Sequence, residues 1–397
     1  MQTQFRIGGR PQRSASVTER RRLMARRPTI VVDPFLVLST VLAAVIGVVM
    51  VYTATRGGLL RLGTSPTHFL KRQLLYVLLG VVVMVLVGLF DYRKLEAFGM
   101  AIYGLALLIL VAVMVPHVGS HTLGSERWFT LGPLQIQPSE FAVLGMVVAI
   151  ATFCSRRPDG LNWVDLVKVL VIGGLPIGLV MIQPDLGTGI IMSVVFFVML
   201  AVAGLPTRIL VLLLVVVVGL VVVVFAAGLL HHYQSLRITS FLKQDTKHPS
   251  AAVQTAVYNL KKSKEAIGAG GLTGTGLTHG ALTNLGYVPE QQTDFIFTAV
   301  GEQLGFVGAV GVLAVLALVA WRVLRAGQLA GDMFGRLLCV GVFAFIAFST
   351  FQNAGMTVGI MPITGIPLPF ISYGGTAVIA FFAGVGLALS VYARRPG

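Results

Sequence analysis

Four acidic side chains stand at or just inside the start of long apolar runs: Glu140, Asp185, Asp294 and Glu302. Ionisable groups at membrane depth are costly and usually face a bundle interior or a wet cavity. A carboxylate in such a place can take a proton from an attacking hydroxyl. Each acid also has a structural reading. Glu140 follows Pro138 and Ser139, and Asp185 follows Pro184, so both suit a first helical turn and its dipole. Asp294 follows Thr293, a good N-cap residue. Glu302, eight residues past Asp294, would lie ~80° round the helix and ~12 Å deeper, which suits a buried hydrogen-bonding group better than a second catalytic acid. Any one acid alone reads as structural. Several converging on one face are harder to dismiss.

Other chemistry-bearing segments fall between apolar runs. Arg127-Trp128 could hold a phosphate while the indole packs on lipid or sugar; for Trp128 alone an interfacial anchor is the simpler reading. Gly268 to Gly276 superficially resembles a phosphate loop, but no strand precedes it and no Gly-Lys-Ser/Thr ends it. Its glycines suit tight turns and close backbone packing. Ile366-Pro367-Leu368-Pro369 has no titratable group and supplies a rigid shape. Cys154 and Cys339 give neither a disulfide framework nor metal-ligand spacing.

The elements that must position these residues are membrane helices. Apolar residues make up 56% of the 397 and charged residues only 11%, against roughly 25% charged in a soluble domain. Ten apolar stretches predict spans at 34–54, 72–90, 99–115, 138–154, 163–182, 186–203, 207–230, 294–321, 334–355 and 373–392. Lipid leaves no partner for open backbone groups, and Leu210–Val224 lacks barrel-strand alternation, so the spans are helices. The expected fold is an all-α polytopic membrane protein of about ten transmembrane helices, a single membrane domain over 34–392. It has one long ordered extracytoplasmic loop, 231–293, carrying short helices. A basic tail, 1–33, expected to be disordered, and a short tail, 393–397, flank it.

The net charge of +15 does not indicate nucleic acid. Eight basic residues crowd the first 27 positions, opposed only by Glu19. A basic tail before a first span holds that end in the cytoplasm and attracts anionic lipid. Basic residues also favour the predicted cytoplasmic loops, although Arg56, Arg61, Lys71 and Arg72 make the first outer loop an exception. Both termini are expected in the cytoplasm and the four acids toward the outer side. Acids near the other ends (Asp33, Asp91, Glu96, Asp159, Asp165, Asp332) mostly neighbour Arg or Lys or sit at loop edges and read as solvated caps. The breaks at Gln183-Pro184-Asp185 and at Ile363–Pro369 show no clear internal repeat, which weakens a transporter reading.

Arg127-Trp128, Gln137-Pro138-Ser139-Glu140, Thr293-Asp294-Phe295 and Gly365–Gly375 together resemble the SEDS family of cell-wall polymerases, the RodA and FtsW proteins. The resemblance spans all ten predicted helices, and Ile-Pro-Leu-Pro with Pro-Glu-Gln before Gln-Thr-Asp-Phe looks closer to RodA. It implies a glycosyltransferase of the bacterial cytoplasmic membrane. Such an enzyme polymerises lipid II, the undecaprenyl-pyrophosphoryl disaccharide-pentapeptide, and works with a class B penicillin-binding protein. It places the catalytic carboxylate on Asp294. Substrate-binding candidates are Arg127, Trp128, Ser139, Glu140, Asp185, Lys262, Glu290 and Ser372. Three positions depart from the pattern: Val143 and Thr275 where the family has Lys, and Gln303 where it has Glu. Arg127, Lys261, Lys262 and Lys264 are the candidates to replace the missing positive charge. No dedicated metal cage is visible; Mg²⁺ held by one or two carboxylates plus phosphates is the option for a cofactor. Rival readings are a lipid II flippase, with carboxylates on both sides of the midplane, a division-specific FtsW-type polymerase, and a scaffold that only positions a transpeptidase.

Overall fold

The computed structural model describes residues 31–396 except 116–119, 123–124, 132–133, 158–159, 229–231, 243 and 245–250. The expected disorder of the basic tail falls outside these residues. Thirteen helices and a small sheet follow one another among the described residues. They are α1 (Pro34–Arg61), α2 (His68–Leu89), α3 (Tyr92–Ala112), β1 (Ser120–Thr122), β2 (Ser125–Leu131), β3 (Leu134–Ile136), α4 (Pro138–Ser155), α5 (Trp163–Ile182), α6 (Leu186–Val202) and α7 (Thr207–Ala226). Then come α8 (His232–Leu242), α9 (Ala251–Gly270), α10 (Ala281–Leu285), α11 (Ile296–Gln328), α12 (Met333–Val358) and α13 (Gly375–Ala393). Eight are long and apolar enough to cross a membrane, and α6 and α7 are shorter apolar helices. The ten expected spans are thus the ten apolar helices. Three further helices, α8 to α10, occupy the long loop.

The centre of the bundle is α4, in which every residue from Ala142 to Cys154 is buried. Helices α12 and α13 flank it, with α2 packed along α13 and α11 along α1 and α12. The lipid-facing helices expose rows of Leu and Val, as α7 does, because lipid tails replace the hydrophobic drive toward the interior. The antiparallel sheet β1-β2-β3 was not expected from the sequence. Its end segment delivers the chain to α4: Thr376 Oγ1 donates to Gln135 O at 2.9 Å and accepts from Gln137 N at 3.0 Å.

Helix ends follow local chemistry. Asp33, Asp91, Asn162, Asp185 and Asp332 are N-caps whose side chains accept from backbone N–H groups. Helix α1 runs on past the apolar stretch to Arg61, despite the helix-weakening pair Gly57-Gly58, because it packs on α10, where Gly57 lies against Asn284. Helix α11 is broken at Gly305 (φ 67°, ψ −168°), a conformation glycine supplies without steric penalty. There the glycine run packs backbone to backbone: Thr275 N and Gly276 N donate to Glu302 O and Gln303 O, and Phe306 N and Val307 N donate to Gly271 O and Leu272 O. A Cβ on Gly274 would collide with Gln303 O. The close-packing reading of these glycines is the one the structure adopts.

Candidate functional site

The two ends of the bundle treat their acids differently. At the end away from Asp294, the described acids are committed to arginines: Asp33 to Arg322, Asp91 to Arg394, Glu96 to Arg156, Asp165 to Arg157 and Asp332 to Arg93. Asp165, which is buried, and Asp33 both correct the expectation of solvated caps; Asp33 is the clearer case. It is fully buried and meets Arg322 at 2.5 Å. Asp159 lies outside the described residues.

At the other end Glu265 pairs with Lys262, while neutral donors hold Asp185 and Glu302. Asp185 caps α6 through Thr188 N (3.2 Å) and also accepts from Gln137 Nε2 (2.9 Å) and Ser139 Oγ (3.1 Å). This brings the Gln-Pro-Ser-Glu segment and the Gln-Pro-Asp segment into one cluster. Glu140, in the first turn of α4, is buried, and its Oε2 has no hydrogen-bond partner among the described residues.

Asp294 lies two residues before α11, in a turn built on Glu290 O, which accepts from the N–H groups of Thr293, Asp294 and Phe295. Thr293 does not cap the helix as expected; its hydroxyl bonds Glu290 O at 3.1 Å, and the N-cap position is Phe295. The turn is held from three sides. Asn353 donates to Asp294 O (2.8 Å) and to Ile366 O (2.7 Å). Ser372 Oγ donates to Thr293 O (2.6 Å) and accepts from Leu368 N (2.8 Å). Tyr373 N donates to Gln292 O. The bracket of the acid therefore comes from Asn353, Ser372 and Tyr373, which Ile366 O and Leu368 N tie to the Ile-Pro-Leu-Pro segment, and the Ser372 hydroxyl is spent on it.

Beside the carboxylate, Gly365 has φ 76°, and a Cβ there would sit 3.1 Å from Asp294 Oδ2 and 3.5 Å from the Arg237 guanidinium. Arg237, on α8, donates to Thr364 O at 2.5 Å. Sequence reasoning did not single it out. Asp294 is half-buried. Burial pushes its pKa up to about 6; the nearby Arg237 charge pulls it down, and Glu290 and Asp185 push it up. An acid so poised is a competent base near neutral pH.

Several sequence candidates lie elsewhere. Glu302 is held by Leu282 N, Thr283 N and Thr283 Oγ1, the structural role its spacing suggested. Lys262 turns to Glu265 at 2.6 Å and neighbours the Tyr258 and Tyr287 rings. Lys264 bonds Gln244. Glu290 is exposed at φ 50°, one turn from Asp294. Arg127 and Trp128 lie on β2; the Arg127 side chain lies outside the described residues.

A ten-span helical bundle with a bracketed carboxylate cluster at one end defines a polytopic membrane enzyme. The family described as cell cycle protein, FtsW/RodA/SpoVE, matches residues 34–396. Stage V sporulation protein E of Bacillus subtilis is 35% identical over 90% of this chain and 96% of its own length. The peptidoglycan glycosyltransferase MrdB of Escherichia coli is 34% identical over 82% of this chain and 86% of its own. Among solved structures, a chain of a peptidoglycan synthase complex superposes with a TM-score of 0.76 at 30% identity, covering 91% of this chain and 98% of that one. The rod shape determining protein RodA of Thermus thermophilus gives 0.67 at 30% identity, covering 92% and 98%. The chain belongs to the FtsW/RodA/SpoVE family and is a membrane glycosyltransferase.

Proposed function

We propose that this enzyme polymerises lipid II into glycan strands, with Asp294 as general base. The acceptor sugar 4-hydroxyl attacks the donor's anomeric carbon, forming the new glycosidic C–O bond. The bond from that carbon to the pyrophosphate oxygen breaks, the lipid pyrophosphate leaves with the electron pair, and Asp294 takes the hydroxyl proton. Direct displacement inverts the anomeric centre. The observation that carries this reading is the bracket around Asp294: three hydrogen-bonded supports fix the turn while burial raises the carboxyl to about 6.

Negative charge develops on the leaving pyrophosphate, so positive charge is needed there. Arg127 remains the candidate from the sequence, and Arg237 is the described cation beside Asp294. Glu140 and Asp185 fit a divalent cation such as Mg²⁺, because the buried Glu140 Oε2 lacks a described donor and hard cations take carboxylate oxygens. When bound, that ion would screen the phosphates. Ser139 and Gln137 hold Asp185 in place for either role.

The proposal places the Asp294 end outside the cytoplasmic membrane with both termini inside, and pairs the enzyme with a class B penicillin-binding protein. A role in elongation, like the RodA relatives, is favoured by the Ile-Pro-Leu-Pro segment. A flippase would want carboxylates on both sides of the midplane, whereas the described acids at the far end each lie within 4.0 Å of an arginine. The test is a polymerisation assay on the purified protein with lipid II, with and without the penicillin-binding partner and Mg²⁺. Asp294→Asn should abolish glycan synthesis while the protein folds and binds its partner. Near-normal synthesis by that variant would overturn the assignment, and transport without polymerisation would favour the flippase.

A further inference from the structure

At the end of the bundle opposite Asp294, a cavity of about 430 Å³ opens among α3, α4 and α5. Its lining is Met100, Thr152, Phe153, Arg156, Arg157 and Asp165. Among the described residues, two guanidiniums line it against one carboxylate. None of these residues takes part in the chemistry at Asp294, ~27 Å of α4 away.

The two arginines differ in what they have left to give. Arg157 is fully engaged: it meets Asp165 at 2.7 Å, donates to Phe153 O at 2.6 Å, and lies 3.6 Å over the Phe153 ring. It forms a fixed, charge-paired wall. Arg156 is mostly exposed, donates to Glu96 O at 3.2 Å, and approaches the Glu96 carboxylate only at 4.0 Å. That carboxylate already accepts from Ser155 Oγ at 2.9 Å. Of five guanidinium N–H donors, Arg156 thus keeps most for another acceptor. The floor is closed. Thr152 is buried and bonds Val148 O, and a Cβ on Gly99 would collide with its hydroxyl.

The surroundings identify the occupant. Phe98, Met100, Val164 and Val167 are exposed apolar side chains on the two helices beside the opening, and Trp163, 73% exposed, stands at the first residue of α5. In a spanning bundle such faces meet acyl chains, and an exposed Trp at a helix end marks the headgroup level. A polar cavity at that level beside an apolar flank suits a molecule with a charged head and hydrocarbon tails. Basic pockets between membrane helices bind anionic headgroups in this way, and a guanidinium matches two phosphate oxygens at once.

We infer that this cavity holds the phosphodiester headgroup of an anionic phospholipid, with Arg156 as its principal ligand. The inference stands independently of the base assigned to Asp294. The test is native mass spectrometry of the purified full-length chain, titrated with short-chain phosphatidylglycerol, short-chain phosphatidylcholine and inorganic phosphate. Wild type should retain one phosphatidylglycerol at about tenfold lower concentration than phosphatidylcholine. Arg156→Gln should lose that preference, and Met100→Trp, which fills the opening, should exclude the lipid; melting curves matching wild type establish that both fold. Equal retention by Arg156→Gln and wild type, or no preference over phosphatidylcholine, overturns the inference. Displacement of phosphatidylglycerol by inorganic phosphate at similar concentration makes it a soluble-anion site and overturns it too.

Discussion

Asn353 donates to the backbone carbonyl of Asp294 at 2.8 Å, from a helix 59 residues further along the chain. Its second bond, to Ile366 O, ties the acid's turn to the Ile-Pro-Leu-Pro segment. Asn353→Ala removes both donors and leaves two carbonyls without them, a cost of about 1–3 kcal/mol for each buried group left unpaired. A small displacement of a catalytic group costs up to ~100-fold in rate. The expected outcome is a fall in kcat of ten- to a hundredfold with a lower melting temperature. Polymerisation kinetics and a thermal melt check it; an unchanged kcat would show that the bracket does not position the base.

The raised pKa of Asp294 sets the direction of the pH dependence. A general base works only when ionised, so the rate should climb tenfold per unit below about pH 6 and level off above it. Stability runs the other way. The folded carboxyl binds its proton more tightly than an unfolded Asp, at about 3.9, so this contribution is fully present below that value. It is lost as pH rises through 6. A pH–rate profile on the wild type, with Asp294→Asn as the blank, reads the first effect.

Arg237 opposes the upward push on Asp294. Arg237→Gln should therefore move the acid limb of the profile to higher pH, leaving activity depressed at pH 6 and partly recovered at pH 8. An acid limb at its wild-type position would mean that this guanidinium does not act on the carboxyl.

Gly365→Ala adds a methyl 3.1 Å from Asp294 Oδ2 at a φ of 76°. Left-handed backbone costs a non-glycine residue roughly 1–2 kcal/mol, and the methyl occupies the space between Asp294 and Arg237. Glycan synthesis should fall at least tenfold, with partner binding intact in a pull-down.

The buried Asp33–Arg322 pair bears on stability alone. Breaking one member leaves a charge in the interior, which costs about 3–5 kcal/mol. Asp33→Asn should lower the melting temperature sharply, and Asp33→Asn with Arg322→Met should recover part of it. The protein that remains folded should polymerise at the wild-type rate.

Much of this was legible in the sequence. Each apolar run became a helix, because lipid allows few other solutions, and Asp185 and Glu140 met through the segments that flagged them. Glu302 went to backbone donors as its depth implied. The misses have a common cause. Arg237 approaches Asp294 because α8 folds under Thr364 and Gly365, and no spacing between residues 237, 294 and 365 announces that. Asp33 reads as a surface cap until Arg322 arrives from α11. Strands of three to seven residues in β1–β3 are too short for a periodic signal.

The join between the glycine run and the break in α11 is made from main-chain atoms. Two side chains add to it: Thr275 Oγ1 donates to Glu302 O, and Gln303 Oε1 accepts from Thr278 N, both at 3.0 Å. The stretch of α11 before Gly305 is thereby tied to the glycine run that follows α9, with Asp294 two residues ahead of the helix. A protein that grips α9 would gain leverage over Asp294 without touching the carboxylate cluster.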